Sequence, residues 1–105
     1  MIVMLAIQLL TQNRSESLSF LLESLINQEY KDFRLLHLDN GSESEHKIKI
    51  QQLIKQYSEK LPITSFWNET NIGFDGGHEF LFNQHQADFV MLLNDDAILE
   101  PNYIK

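Results

Sequence analysis

Asp95 and Asp96 stand side by side at the end of Phe89-Val90-Met91-Leu92-Leu93, the most apolar strand-like run in the sequence. Such a run reads as a strand buried on both faces, as in parallel sheets. Two ionised carboxylates at the rim of a low-dielectric core repel each other and lose hydration. That arrangement costs free energy unless water, hydrogen bonds or a cation compensates. A solvated turn before Pro101 is one reading, and a metal or ligand site is the other. Other polar groups follow apolar runs in the same way: Thr11, Asn13 and Arg14 after the first, Asp39 and Asn40 after the second. The stretch Asn71-Ile72-Gly73-Phe74-Asp75-Gly76-Gly77 leads into a helix-like segment, whose free amides could meet an anion.

The elements that must position these groups alternate. Ile2 to Leu10 is expected as a strand, and Leu18, Leu21, Leu22, Leu25 and Ile26 recur at helical spacing. Asn13 and Glu16 resemble a capping pair at the start of that helix. Asp32 to Leu38 is a second strand, closed by the turn signal Asp39-Asn40-Gly41-Ser42. Ile50, Leu53, Ile54 and Tyr57 mark a second helix that stops near Pro62. Ile63 to Trp67 is a third strand, Asn68 to Gly77 a polar loop, and His78 to Gln86 a third helix. Phe89 to Leu93 is the fourth strand, and Glu100-Pro101 reads as the first turn of another helix. A β-α-β-α-β-α-β order predicts an α/β fold, an open, mostly parallel sheet with helices on both faces.

In such a sheet the strands' carboxyl ends share one edge, and ligands bind outside it where the strand order reverses. That edge gathers hydrogen-bonding groups suited to a base and ribose together with paired carboxylates. The net charge of −7 would repel a phosphate unless a divalent cation lay between. Mg²⁺ or Mn²⁺ held by one or two carboxylates, with diphosphate oxygens completing its shell, resolves the conflict. The residues by themselves therefore point to a metal-bridged nucleotide or nucleotide-sugar site.

Composition narrows the classes. A length of 105 residues fits one small domain spanning 1–105. There are no cysteines, which excludes disulfides, thiolate catalysis and cysteine-ligated zinc. The eight basic residues are scattered, so nucleic acid is not an expected partner. No segment has the length of a transmembrane helix, and the apolar start lacks a basic n-region and a cleavage site. A cytoplasmic location is expected, at the inner face of the membrane for a longer form.

Four ordered motifs, TQNRS, SLINQEYKDFRLLHLDNGS, NIGFDGGHEF and FVMLLNDDAILEP, resemble the nucleotide-binding half of family 2 glycosyltransferases, which have the GT-A fold. The NIGFDGGH and LLNDD forms are most similar to members that transfer rhamnose and related sugars in bacterial polysaccharide assembly. The resemblance implies inverting transfer from a nucleotide-diphosphate sugar to a saccharide acceptor, assisted by a divalent cation. It implies that Thr11 lies beside the base and that Asp39 accepts a hydrogen bond from it. Asn13, Arg14 and Asn40 belong to the same nucleotide-binding set. Asp95 would help hold the ribose or the metal's surroundings, Asp96 would ligate the cation, and Gly76-Gly77 would form a donor-proximal loop. The acceptor-binding half, with the catalytic base, would follow Lys105, so the 105-residue chain alone is expected to be inactive. The fourth strand would then be an exposed sheet edge open to self-association.

Two positions depart from the pattern. Gln12 stands where an aromatic residue is common, and Asn94 takes the first place of what is often an Asp-x-Asp motif. Plainer readings accompany several residues. Arg14 reads as a solvated helix-start residue as well as a phosphate ligand, and Asp39-Asn40-Gly41 as a turn. His78 reads as a polar surface or capping residue, His37 as a satisfied core histidine, and His46 and His85 as helix-surface positions. Trp67, Phe74 and Phe80 read as packing residues. A sugar nucleotidyltransferase would need a glycine-rich, basic loop after the first strand, which TQNRSES does not supply. The alternative function is a non-catalytic domain of the same fold that binds a nucleotide or a protein partner.

Overall fold

The computed structural model describes residues 4–96 and Pro101. Four strands, β1 (Leu5–Thr11), β2 (Phe33–Asn40), β3 (Ile63–Asn68) and β4 (Phe89–Asn94), form one sheet in the order β3-β2-β1-β4, and every pairing is parallel. Helices α1 (Ser15–Ile26), α2 (Ser44–Tyr57) and α3 (Gly73–Phe82) connect them. The predicted α/β class and alternation match this architecture. The start of the strand expected from Ile2, and the helix expected around Glu100–Pro101, lie outside the described residues apart from Pro101, which sits in a turn.

Period-2 alternation divides the sheet into two unequal faces. Ile7 and Leu9 of β1, Phe33 and Leu35 of β2 and Leu93 of β4 meet Leu18, Leu21, Leu22 and Leu25 of α1 and Ile50, Ile54 and Tyr57 of α2. The opposite face carries a thinner layer, Ala6, Leu36, Leu38 and Leu81, with Leu10, Phe66 and Phe80 partly buried against it. The first face carries most of the apolar burial, at about 2–3 kcal/mol for each fully buried Leu or Ile. Among the described residues no helix is long and apolar enough to cross a membrane.

Local structure departs from the sequence expectations in four places. Asp39 and Asn40 are the last residues of β2 rather than a turn, and both are buried. Asn13 does not cap α1: no side chain does, and Asn13 instead adopts a left-handed conformation (φ 55°). Its amide N–H donates to Ser42 Oγ at 2.9 Å and its Oδ1 accepts from the Glu43 amide at 2.7 Å. Asparagine tolerates that conformation and so ties the exit of β1 to the exit of β2.

The third departure is α3, which starts at Gly73, so Gly76 and Gly77 lie within a helix and not in a loop. Helix propensity argues against two glycines there, each less favourable than Ala by about 1 kcal/mol. Tertiary contact overrides it. A Cβ on Gly77 would lie 2.9 Å from Leu10 Cδ2, so glycine lets α3 settle directly on β1. The fourth is β4: it lies at the sheet edge, as expected, but its apolar run is not buried on both faces, with Phe89 62% and Leu92 48% exposed. An apolar run reports the composition of a strand but not its place in the strand order.

Candidate functional site

The strand order reverses between β1 and β4, because β1 connects through α1 to β2 on one side while β4 returns to its other side. A cleft of about 550 Å³ opens at the carboxyl ends there. Gln12 and Arg14 reach it from the exit of β1, Asn71, Gly73 and Phe74 from the start of α3, and Asn94, Asp95 and Asp96 from the end of β4. Leu10, Thr11 and Asn40 also border it. Of the residues singled out from sequence, Thr11, Arg14, Asn40, Asp95 and Asp96 are thus brought together. Asn13, Asp39, Gly76 and Gly77 do not line the cleft.

Several of these groups are occupied by each other. Thr11 and Asp39 are register partners and have 0% exposure. Thr11 Oγ1 donates to Asp39 Oδ1 at 2.8 Å, and Asp39 also accepts from Ser42 Oγ (2.6 Å) and from the Ser42 amide (3.0 Å). Because the Thr11 proton goes to Asp39, its oxygen accepts from His37 Nε2 at 2.8 Å. That leaves His37 Nδ1 to accept from Ser65 Oγ at 3.0 Å. His37 is the satisfied core histidine expected, and burial pushes its pKa down to about 4 despite the nearby Asp39. The ring also meets Trp67 edge-on at 5.2 Å, so Trp67 packs on the core as expected.

Asn40 performs a second internal task. Its Oδ1 accepts from the Ile72 amide (2.9 Å) and its Nδ2 donates to the Gly73 carbonyl (3.0 Å). Gly41, at φ 78°, lies so close to this segment that a Cβ would sit 2.6 Å from the Asn71 nitrogen. Asn71 Oδ1 completes the bend by accepting from the Gly73 amide at 2.8 Å. Together these contacts set the start of α3 and with it Phe74, which is 52% exposed on the cleft and stacks edge-on against His78 at 4.5 Å.

The exposed groups, Arg14 and Asp96, lie on the other side of the cleft beside the buried Asp95. Asp95 is 7% exposed; its Oδ2 accepts from the Gln12 amide at 3.1 Å, and its carbonyl accepts from Ser17 Oγ at 3.0 Å. Burial raises its pKa, opposed by the Gln12 amide and Arg14 and reinforced by Asp96. The Arg14 side chain, 58% exposed, places Nη1 3.0 Å from Asp96 Oδ2 and 3.8 Å from Asp95 Oδ1. Positive charge thus already sits between the two carboxylates. No group of three or more His, Cys, Asp or Glu among the described residues could hold a metal ion. Asp95 and Asp96 supply two carboxylates, too few for an all-protein cation cage.

His78 and His85 are differently placed from expectation. His78 is buried rather than on the surface; Gln8 Nε2 donates to its Nδ1 and its carbonyl, both at 3.1 Å. Its pKa is lowered, chiefly by burial. His85 lies past the end of α3 and bonds Gln8 Oε1 at 2.8 Å, and His46 is half-buried in α2. Sequence reasoning noted Asn94 as a motif position and Asn71 within an anion-facing stretch, but read Phe74 as a packing residue and gave Gln12 no site role; all four line the cleft. Gly73, with a left-handed φ of 83° at the start of α3, was the available signal beside Phe74.

The glycosyl transferase family 2 profile matches residues 7–105. Solved structures share the fold. S. aureus TarS 1-349 aligns with a TM-score of 0.80 at 23% identity, over 92% of this chain and 28% of that one. TarS 1-349 in complex with UDP gives 0.79 at 24% identity, over 93% and 29%. The mannosyltransferase PcManGT from Pyrobaculum calidifontis, in complex with GDP-Man and Mn2+, gives 0.78 at 14% identity, over 90% and 28%. The chain therefore spans less than a third of the length of each of these. No curated protein sequence matches.

Proposed function

The chain belongs to glycosyl transferase family 2, and from that premise we propose that the cleft between β1 and β4 binds the nucleoside diphosphate of an activated sugar donor. One observation carries the reading: in a sheet of this family's fold, the unspent polar groups of β1 and β4 converge at the strand-order reversal, where α/β sheets take ligands. Gln12 and Asn94 offer hydrogen bonds to the nucleoside, and the half-exposed Phe74 ring offers it a wall. Thr11, Asn13, Asp39 and Asn40 act by fixing the loops around it.

Asp96, with Asp95 behind it, would hold a divalent cation, and Arg14 supplies a further positive charge for the diphosphate. When bound, the cation neutralises charge on the departing nucleoside diphosphate. The reaction proposed is inverting transfer of a sugar to an acceptor hydroxyl. Besides Asp95 and Asp96 no described carboxylate lines the cleft, so no base is assigned within it. The forms NIGFDGGH and LLNDD support a deoxyhexose such as rhamnose as the sugar, in bacterial polysaccharide assembly.

Calorimetric titration of UDP and dTDP, with and without Mn²⁺, into wild type and Asp96→Ala tests this. The expected outcome is nucleotide binding that requires Mn²⁺ and is lost in the variant. Absence of binding by either nucleotide under every condition counts against the reading and favours a non-catalytic domain.

A further inference from the structure

We propose that Arg14 is an internal stand-in for the cation: its guanidinium holds the Asp95–Asp96 pair until a metal and a diphosphate arrive together, and then transfers to the diphosphate. The inference rests on the cation reading of Asp96 given above. Its basis is geometric. Arg14 follows β1 directly and its side chain bridges to the strand end beside it, with Nη1 at 3.0 Å and 3.8 Å from one oxygen of each carboxylate. The guanidinium has no other acceptor among the described residues, and with 58% of the side chain exposed it is free to turn into the cleft it lines.

Charge counting sets the order of events. Two carboxylates and one guanidinium leave the pair at −1. A divalent cation arriving alone meets an occupied Asp96 oxygen and a like charge a few ångströms away. A cation arriving with a nucleoside diphosphate brings its own counter-charge, and Arg14 gains phosphate oxygens for the carboxylate it gives up, a type of partner that suits its planar fork. Metal and nucleotide should therefore bind cooperatively, and Arg14 is the residue that couples them. Because the pair is exposed, the coupling is modest. Removing one nearby positive charge and one surface ion pair is worth about a fivefold change in affinity.

The test uses Arg14→Gln, with Arg14→Lys and Asp96→Asn as companions, and two probes. Mn²⁺ alone is followed through the paramagnetic resonance signal of the free ion, and UDP at saturating Mn²⁺ by calorimetry. Arg14→Gln should bind Mn²⁺ alone about fivefold more tightly than wild type, and UDP with Mn²⁺ several-fold more weakly. Arg14→Lys should fall between the two, and Asp96→Asn should lose both. Opposite signs for one substitution are the signature, because a residue that merely held the loop in shape would move both affinities the same way. If Arg14→Gln leaves Mn²⁺ affinity unchanged or weakens it, while UDP binding still depends on Mn²⁺ and Asp96, the stand-in role is overturned and the donor site survives. If wild type binds no Mn²⁺ even with UDP present, the cation site itself fails and takes this inference with it.

Discussion

Asp39 and Asp96 stand at the ends of the two strands that flank β1, on the same edge of the same sheet, yet their surroundings are opposite. Asp39 is sealed in: it has 0% exposure and accepts from Thr11, from the Ser42 hydroxyl and from the Ser42 amide. Asp96 is open, with 56% of its side chain exposed and, among the described residues, a single ion pair to Arg14. The first carboxylate is part of the frame, and the second is available to a ligand. The comparison teaches that convergence on a sheet edge does not by itself make a residue a ligand-binding group. What a group still has free to offer decides, and that is a property of the tertiary hydrogen bonds around it.

The sharpest way to break this comparison is to remove the sealed carboxylate. Asp39→Ala strips three donors of their acceptor, the buried Thr11 hydroxyl and the half-buried Ser42 hydroxyl and amide, and a buried donor left unpaired costs about 1–3 kcal/mol. A loss of about 3 kcal/mol is expected in urea unfolding, a large part of the stability of a domain this size. A loss under about 1 kcal/mol would mean that the network is not a structural frame. Gly41→Ala comes next. It forces a side chain into a left-handed position (φ 78°) and drives a Cβ to 2.6 Å from the Asn71 nitrogen, where only backbone can give way. About 3 kcal/mol of destabilisation is expected, strain and displacement together. The amide resonances of Ile72 and Gly73, which Asn40 and Asn71 hold, should shift with it.

Much of the frame was legible and much of the site was not, for one physical reason. Apolar runs and helical stripes are local, so the four strands and α1 and α2 could be read from Leu18, Leu25, Ile50 and their neighbours. The residues at the carboxyl edge could be named because strand ends in a parallel sheet share an edge. Their partners could not be named. That Asn13 bonds Ser42 and Glu43 instead of capping α1, or that Asn40 is spent on Ile72 and Gly73, depends on atoms about thirty residues away in sequence. The start of α3 was placed too late for the same reason. Glycine's poor helix propensity is a local signal, and the close approach of Gly77 to Leu10 is not.

A smaller effect separates the two sides by pH. His37 titrates near 6.5 when unfolded and is pushed down to about 4 in the fold, so between those values the unfolded chain binds the extra proton. Stability from this group is complete above pH 6.5 and is lost as pH falls toward 4, by about 2 kcal/mol at pH 5. His78, also lowered by burial, acts in the same direction. Asp95 acts the other way, since its raised pKa means that the folded state gains relative stability as pH falls through it. Urea unfolding at pH 7 and pH 5 should show wild type losing stability on acidification and His37→Gln losing much less. An equal loss in both proteins would move the acid sensitivity away from the Thr11–His37–Asp39 frame.

The smallest expected effect is the most informative for the open side. Asp96→Ala removes an exposed carboxylate whose one partner among the described residues is an exposed arginine, and surface changes of this kind usually fall within about 0.5 kcal/mol. The sign itself is of interest. Asp96 is next to Asp95, which is held in an environment that disfavours its charge, so deleting a like charge partly offsets the lost ion pair. Unfolding of Asp96→Ala should therefore superpose on wild type in the absence of metal and nucleotide. Adding UDP and Mn²⁺ should separate the two curves, because a ligand that binds only the folded state stabilises it in proportion to the logarithm of its concentration over the dissociation constant. A variant already weakened by more than about 1 kcal/mol without ligand would place Asp96 in the frame beside Asp39. The contrast between a sealed and an open carboxylate would then be lost.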